Sequence, residues 1–198
     1  MPSHGLLAVS GSTIRRCLVK YVPLTMVREQ MDGIPSVACP AAYLLRTFRN
    51  GDERAWARIE AAVGEFPSPS RALEHFEEEF GPVRDQLADR CLVLEDGRGN
   101  PIGTATAWYG NLDGEPRGRV HWVAIVPEHQ GKGLAKPLLR AVMERLARDH
   151  PQAYLTTQTT SYRAVNLYLQ FGFVPYPTNE QDREGWAIVE RALGRAIL

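Results

Sequence analysis

Residues 119–148 read RVHWVAIVPEHQGKGLAKPLLRAVMERLAR, and the fold turns on this stretch. Its apolar, β-branched opening at 120–126 predicts a largely buried strand, stopped by Pro127, which has no N–H for a ladder. Beyond Gly133, Leu134, Leu138, Leu139, Val142 and Leu146 recur at helical spacing, with Lys136, Arg140, Glu144, Arg145 and Arg148 on other faces. Pro137 fits only the first turn of that helix, where its missing N–H costs no hydrogen bond, so the helix starts near Gly133. The unit is a strand, a glycine turn and a helix.

The first backbone amides of a helix have no internal partner, and the helix dipole adds positive charge there, so this turn suits a phosphate. Gly131 and Gly133 can take positive φ and let a ligand approach the backbone, while Gln130 and Lys132 offer a side-chain amide and a cation. A P-loop would need Ser or Thr where Gly133 stands, and a dinucleotide fingerprint would need Gly or Ala at Lys136. The pattern that fits is Gln or Arg, two residues, Gly, one residue, Gly or Ala, here Gln130, Gly133 and Ala135. With the preceding VAIVP, this loop resembles the coenzyme A pyrophosphate loop of the GNAT superfamily of N-acetyltransferases. Further on, SYRAVNLYLQFGF at 161–173 resembles the second signature of that family at Ala164, Leu167, Tyr168, Gly172 and Phe173. Ser161 departs from the asparagine common there, whereas Asn166 is a frequent family residue at its own position.

The resemblance implies an α+β fold with a mixed, mostly antiparallel central sheet of about seven strands flanked by about four helices. Two neighbouring core strands would splay apart to admit the arm of acetyl-coenzyme A. Backbone groups of Val123, Ala124 and Ile125 would pair with the pantetheine as an added strand would. The amides of Gln130, Gly131, Lys132, Gly133, Leu134 and Ala135 would hold the pyrophosphate, with Ser161 and Asn166 as further cofactor contacts. An amine would attack the thioester directly in a ternary complex, with acetyl as the transferred group and a strand N–H steadying the oxyanion. The departing thiolate has a conjugate acid near ~8.5 and a tyrosine sits near ~10, so a hydrogen-bonded phenol can protonate it. The family offset points to Tyr168 as that acid; core packing beside Val165 and Leu169 is the alternative. His121, near the start of the central strand, is the base candidate, against a purely structural histidine. Glu74, His75 and Glu128 are weaker candidates for the base, and His129 beside the loop is explained equally by exposure. A coenzyme A-binding regulatory module without chemistry is the alternative function.

Composition bounds the rest. Lys plus Arg and Asp plus Glu are 23 each in 198 residues, so no net charge invites nucleic acid or an anionic membrane. Cys17, Cys39 and Cys91 show no metal-binding spacing and read as reduced thiols, Cys91 as a small buried residue. No metal, no membrane span and no targeting segment are expected, which reads as a cytoplasmic protein with a small-molecule or peptide amine as partner. A homodimer is left open.

Residues 1–40 read as an N-terminal extension whose β-rich run, 17–27, is demoted by Pro23 to an edge strand or two short pieces that cover a sheet edge; the acyltransferase domain is 41–198. Within it, 42–48 predicts a strand, and Asp52 an N-cap for a helix carrying Trp56, Ile59 and Val63. A second helix, 70–80, has Glu74, Glu77, Glu78 and Glu79 on its polar face, which reads as solvated. Strands at 91–94, 102–109, 153–159, 173–176 and 186–189 and a helix at 161–171 closed by Gly172 complete the pattern. Acceptor specificity is expected from 65–70 and 175–185, with Trp108, Tyr109 and Trp186 either lining that pocket or packed in the core.

Overall fold

The computed structural model describes residues 19–198, so Cys17 and the start of the first predicted strand lie outside the described residues. Seven strands form one sheet: β1 (Pro23–Arg28), β2 (Leu44–Thr47), β3 (Cys91–Glu95), β4 (Pro101–Leu112), β5 (Glu115–Ile125), β6 (Ala153–Gln158) and β7 (Val174–Pro175), in the order β2-β3-β4-β5-β6-β1-β7. Every neighbouring pair is antiparallel except β5 with β6. The helices are α1 (Glu53–Ala62), α2 (Pro69–Phe80), the single turn α3 (Leu87–Arg90), α4 (Ala135–Leu146), α5 (Tyr162–Gln170) and α6 (Glu180–Leu193). The α+β class and the mostly antiparallel sheet expected from the sequence are what is found.

The two sheet faces are covered differently. Helix α4 lays the predicted stripe, Leu138, Leu139, Val142 and Leu146, on β3, β4 and β5 against Ala105, Ala107 and Val120. The other face carries a smaller aromatic cluster, in which Trp56 of α1 and Phe76 and Phe80 of α2 pack with Phe48, Trp108 and Trp122. Ser68 caps α2, its Oγ accepting from the Arg71 amide at 3.3 Å. Asp52 occupies the N-cap position of α1 without capping it, because Arg46 donates to both carboxylate oxygens at 2.6 and 2.9 Å.

Three expectations are corrected. Strand β1 begins at Pro23 and lies inside the sheet between β6 and β7, where it does not cover an edge; a first-residue proline costs no ladder bond. Residues 186–189 are helix: Trp186 and Val189 stand at i, i+3 on the buried face of α6, capped by Asn179 and closed by left-handed Gly194. Strand β4 also runs past its expected end at 109, since pairing with β5 continues to Leu112 and Glu115.

Gly172 closes α5 with a φ of 76°, as its position after Phe171 predicts. A Cβ there would also sit against the guanidinium of buried Arg28, which bonds the carbonyls of Phe171, Asp32 and, at 2.8 Å, Gln30. Left-handed strain alone costs about 1–2 kcal/mol. Gly172→Ala is therefore expected to lower unfolding free energy by at least that amount, read as a reduced urea midpoint at unchanged slope.

Candidate active site

Strands β5 and β6 pair only at Gly118 with Ala153 and Arg119 with Tyr154. Strand β6 is held along its other edge by β1 from Ala153 to Gln158, so it cannot follow β5 as that strand twists away. A cleft of about 400 Å³ opens between them, walled by Val120 to Val123, by Leu155 to Gln158 and by Ser161, Ala164 and Tyr168, with Glu60 of α1 and Tyr21 also reaching it.

The β5 wall is bulged. Thr104 faces Ala124 and Thr106 faces His121, so Trp122 and Val123 together oppose Ala105. Trp122 takes a φ of 49°, an uncommon state for a bulky residue. Glu79 of α2 holds it there, accepting from Trp122 Nε1 at 2.8 Å on one oxygen and meeting His121 Nε2 at 2.7 Å on the other. Trp56 packs edge-on against the Trp122 ring at 5.3 Å.

Burial raises the Glu79 carboxyl, but the hydrogen bonds from His121 and Trp122 outweigh it and hold the group below its ordinary value. It is therefore an acceptor, and Nε2 of His121 carries the proton. Burial lowers the His121 pKa, Arg119 pushes the same way, and Glu79 opposes them. The ring is thus neutral at neutral pH, with its basic lone pair on Nδ1. His75 joins the group through Nε2, 3.2 Å from Glu79. Tyr168 lines the cleft and is nearly buried; burial, with the charges of Glu65 and Glu60, pushes its phenol up to about 12, so it stays protonated.

The loop after β5 has the geometry its sequence predicts. Gly131 and Gly133 take φ of 74° and 77°, and a Cβ at either would meet nothing within 4 Å. Among the described residues, the amides of Gly131, Lys132, Gly133, Leu134 and Ala135 have no protein acceptor, so the loop and the start of α4 fit an anionic pyrophosphate. Gln130 ties the loop to the strand end, its Nε2 donating to the Ile125 carbonyl at 2.8 Å. Ser161 reaches the cleft, whereas Asn166 accepts from Arg195 at 2.8 Å and is not among its lining residues.

A family model described as the acetyltransferase (GNAT) family matches residues 54–173. The chain belongs to that family. It is 30% identical over 193 residues to a mycothiol acetyltransferase of Acidothermus cellulolyticus, a match covering 89% of this chain and 59% of that protein. It is also 30% identical over 112 residues to a spermidine N(1)-acetyltransferase of Vibrio cholerae, over 55% of this chain and 63% of that one. A solved GCN5-related N-acetyltransferase from Sphaerobacter thermophilus shares the fold at a TM-score of 0.64 and 23% identity, covering 80% of this chain and 49% of that one. The chain thus spans about three fifths of the length of the curated relatives it matches.

In this GNAT chain several other candidates fall away from the cleft. Glu74 is exposed and bonds Arg71, and Glu128 is exposed. Trp108 packs edge-on against Phe80 at 5.1 Å, the Tyr109 ring lies under the Arg90 guanidinium at 3.8 Å, and Trp186 is in the core. Burial raises the Cys91 thiol to about 11, the behaviour of a packing residue. Of 175–185, no residue lines the cleft; of 65–70, Glu65 does. Among the described residues there is no cluster of three metal-binding side chains, and no helix is long and apolar enough to cross a membrane.

Two glutamates at the site escape a reading of the sequence, Glu60 in the cleft and Glu79 behind its β5 wall. Glu79 reads as part of an acidic solvated face, and nothing in the sequence analysis singles out Glu60. The signal for Glu60 is its place four residues after Trp56, on the apolar stripe of α1. It is 1% exposed, and Oε1 is enclosed without a partner. Burial, with Glu65 nearby, raises its pKa from 4.5 to about 8. A carboxyl raised in the folded state contributes fully below its unfolded value and loses that contribution as pH rises through the folded one. Unfolding free energy should therefore fall between pH 4.5 and about 8, by on the order of a few kcal/mol, and Glu60→Gln should remove that slope. Urea midpoints at pH 5 and pH 9 check this; parallel slopes in both proteins would contradict the burial of an ionisable Glu60.

Proposed function

We propose that this chain transfers acetyl from acetyl-coenzyme A to a primary amine on a small molecule or peptide, by direct attack in a ternary complex, in the cytoplasm. The observation that carries this reading is the splayed β5 edge leading directly into a loop whose amides from Gly131 to Ala135 lack protein acceptors. The family supports the same reading. The two named relatives are acetyltransferases with different acceptors, so their names leave the amine open.

Val123, Ala124 and Ile125 would hold the pantetheine by backbone pairing, and Gly131, Lys132, Gly133, Leu134 and Ala135 the pyrophosphate, with Gln130 bracing the loop and Ser161 at the cleft wall. When bound, acetyl-coenzyme A supplies an activated acyl group. Nδ1 of His121 takes the proton of the attacking amine, and Glu79 steadies the imidazolium that results. An N–H of the bulged strand faces the developing oxyanion. The Tyr168 phenol gives its proton to the departing sulfur.

Calorimetric titration with acetyl-coenzyme A, followed by thiol release against a panel of primary amines, tests the reading; no binding would overturn it. Gly133→Asp, which puts a charged side chain on a left-handed glycine at the anion loop, should weaken cofactor binding about tenfold or more. Tyr168→Phe should cut kcat by about 10²–10⁴ while leaving cofactor affinity unchanged. Wild-type kcat/KM should fall on the acid side, as His121 gains a proton below the ordinary histidine value, and His121→Ala should lose that acid limb. An unaltered pH profile in His121→Ala would remove it as the base.

A further inference from the structure

Glu79, the carboxylate that braces the β5 wall, has donors in Trp122 and His121. Glu60 has none among the described residues, although burying a carboxyl without a partner costs several kcal/mol. Its side chain reaches the cleft from α1, and Glu65, at the exposed rim, reaches the same space without an ion pair of its own. The remaining charged or titratable groups there are Arg119, directed at Thr156 at 3.4 Å, His121, committed to Glu79, and the phenols of Tyr168 and Tyr21. None of these is a cation held against Glu60.

We propose that Glu60, with Glu65 at the rim, is a cation subsite that holds a second, non-reacting ammonium of the acceptor, which makes the acceptor a diamine or polyamine. This rests on the acetyltransferase reading above. The reacting nitrogen must lose its proton before it can attack, and a carboxylate beside it would keep it charged. Glu60 therefore suits a nitrogen that remains an ammonium, while His121, on the β5 wall, serves the one that reacts. In the free protein burial keeps a proton on the carboxyl, in the place that cation would take. An arriving ammonium displaces the proton to solvent and leaves a charge-assisted hydrogen bond in a sheltered site.

The test is calorimetric titration of putrescine and of butylamine into the full chain saturated with coenzyme A, at pH 7, in two buffers of different ionisation heat. Putrescine should bind about tenfold or more tightly than butylamine and release up to about one proton per molecule bound. Glu60→Gln should abolish both the preference and the proton release, and Glu65→Gln should reduce the preference by less. Equal affinities in the wild type, or a preference that survives Glu60→Gln, would overturn the subsite while coenzyme A binding still stood. Failure of coenzyme A itself to bind would instead overturn the acetyltransferase reading, and the subsite with it.

Discussion

Two residue pairs join β5 to β6, and the rest of the molecule is arranged around that short seam. The sheet must be continuous at Gly118 and Arg119 and open above them. Gly118 makes the junction close: its amide donates to the Gln152 carbonyl at 3.0 Å, and a Cβ there would press on Leu146 and His150. Above the seam each strand has found another partner. Strand β6 is fully engaged with β1, and β5 with β4, so both are rigid and neither can relax across the gap. Backbone groups along the gap are then available to a ligand because the fold has spent its pairing on the outer edges.

The bulge that shapes the β5 wall would be strained in isolation, since Trp122 sits in the left-handed region at about 1–2 kcal/mol of cost. What offsets it comes from α2. Glu79 bonds the Trp122 indole and His121 together, and the cluster of Trp56, Phe66 and Trp122 packs the ring from the other side, with Phe66 at 5.5 Å. One carboxylate thus fixes backbone, indole and imidazole at once. The same contacts settle the imidazole tautomer, since an ionised Glu79 can only accept. Position and tautomer of His121 are consequences of a single helix residue 42 positions away in the chain.

Local periodicity carried most of the fold. The strand, loop and helix from β5 through α4 involve contacts close in sequence, and Pro127, the two glycines and Pro137 each restrict the backbone where they stand. Trp186 to Val189 misled because aromatic and β-branched content suggests a strand, while the period that matters runs from Asn179 to Gly194. Gly185 weakened the helical signal, yet it is there because a Cβ would come within 2.9 Å of Leu24 and Val22 of the first strand region, a constraint invisible locally. The site divides in the same way. The anion loop is local and was legible; Glu60 and Glu79 lie on amphipathic helices where a glutamate looks like solvent-facing charge. Only packing of α1 and α2 across the sheet reveals which of those carboxylates turn inward.

A chain with equal numbers of acidic and basic residues gains no long-range steering from its net charge, so orientation of two substrates has to come from where charge is placed. The splayed edge of β5 connects two unlike ends. At one, the start of α4 presents amides without protein acceptors, a helix dipole and the exposed cations Lys132 and Lys136. Toward the other, Glu60 and Glu65 bring carboxyls to the cleft, and neither has an ion pair among the described residues. An anionic pyrophosphate and a cationic acceptor would each be favoured at one end and disfavoured at the other. Between them stand the bulge, His121 and Tyr168, neutral groups that can exchange protons without having to compete with either field. Local charge separation along one strand edge therefore accomplishes what net charge does not, and it does so with backbone dipoles at one end and carboxyls at the other.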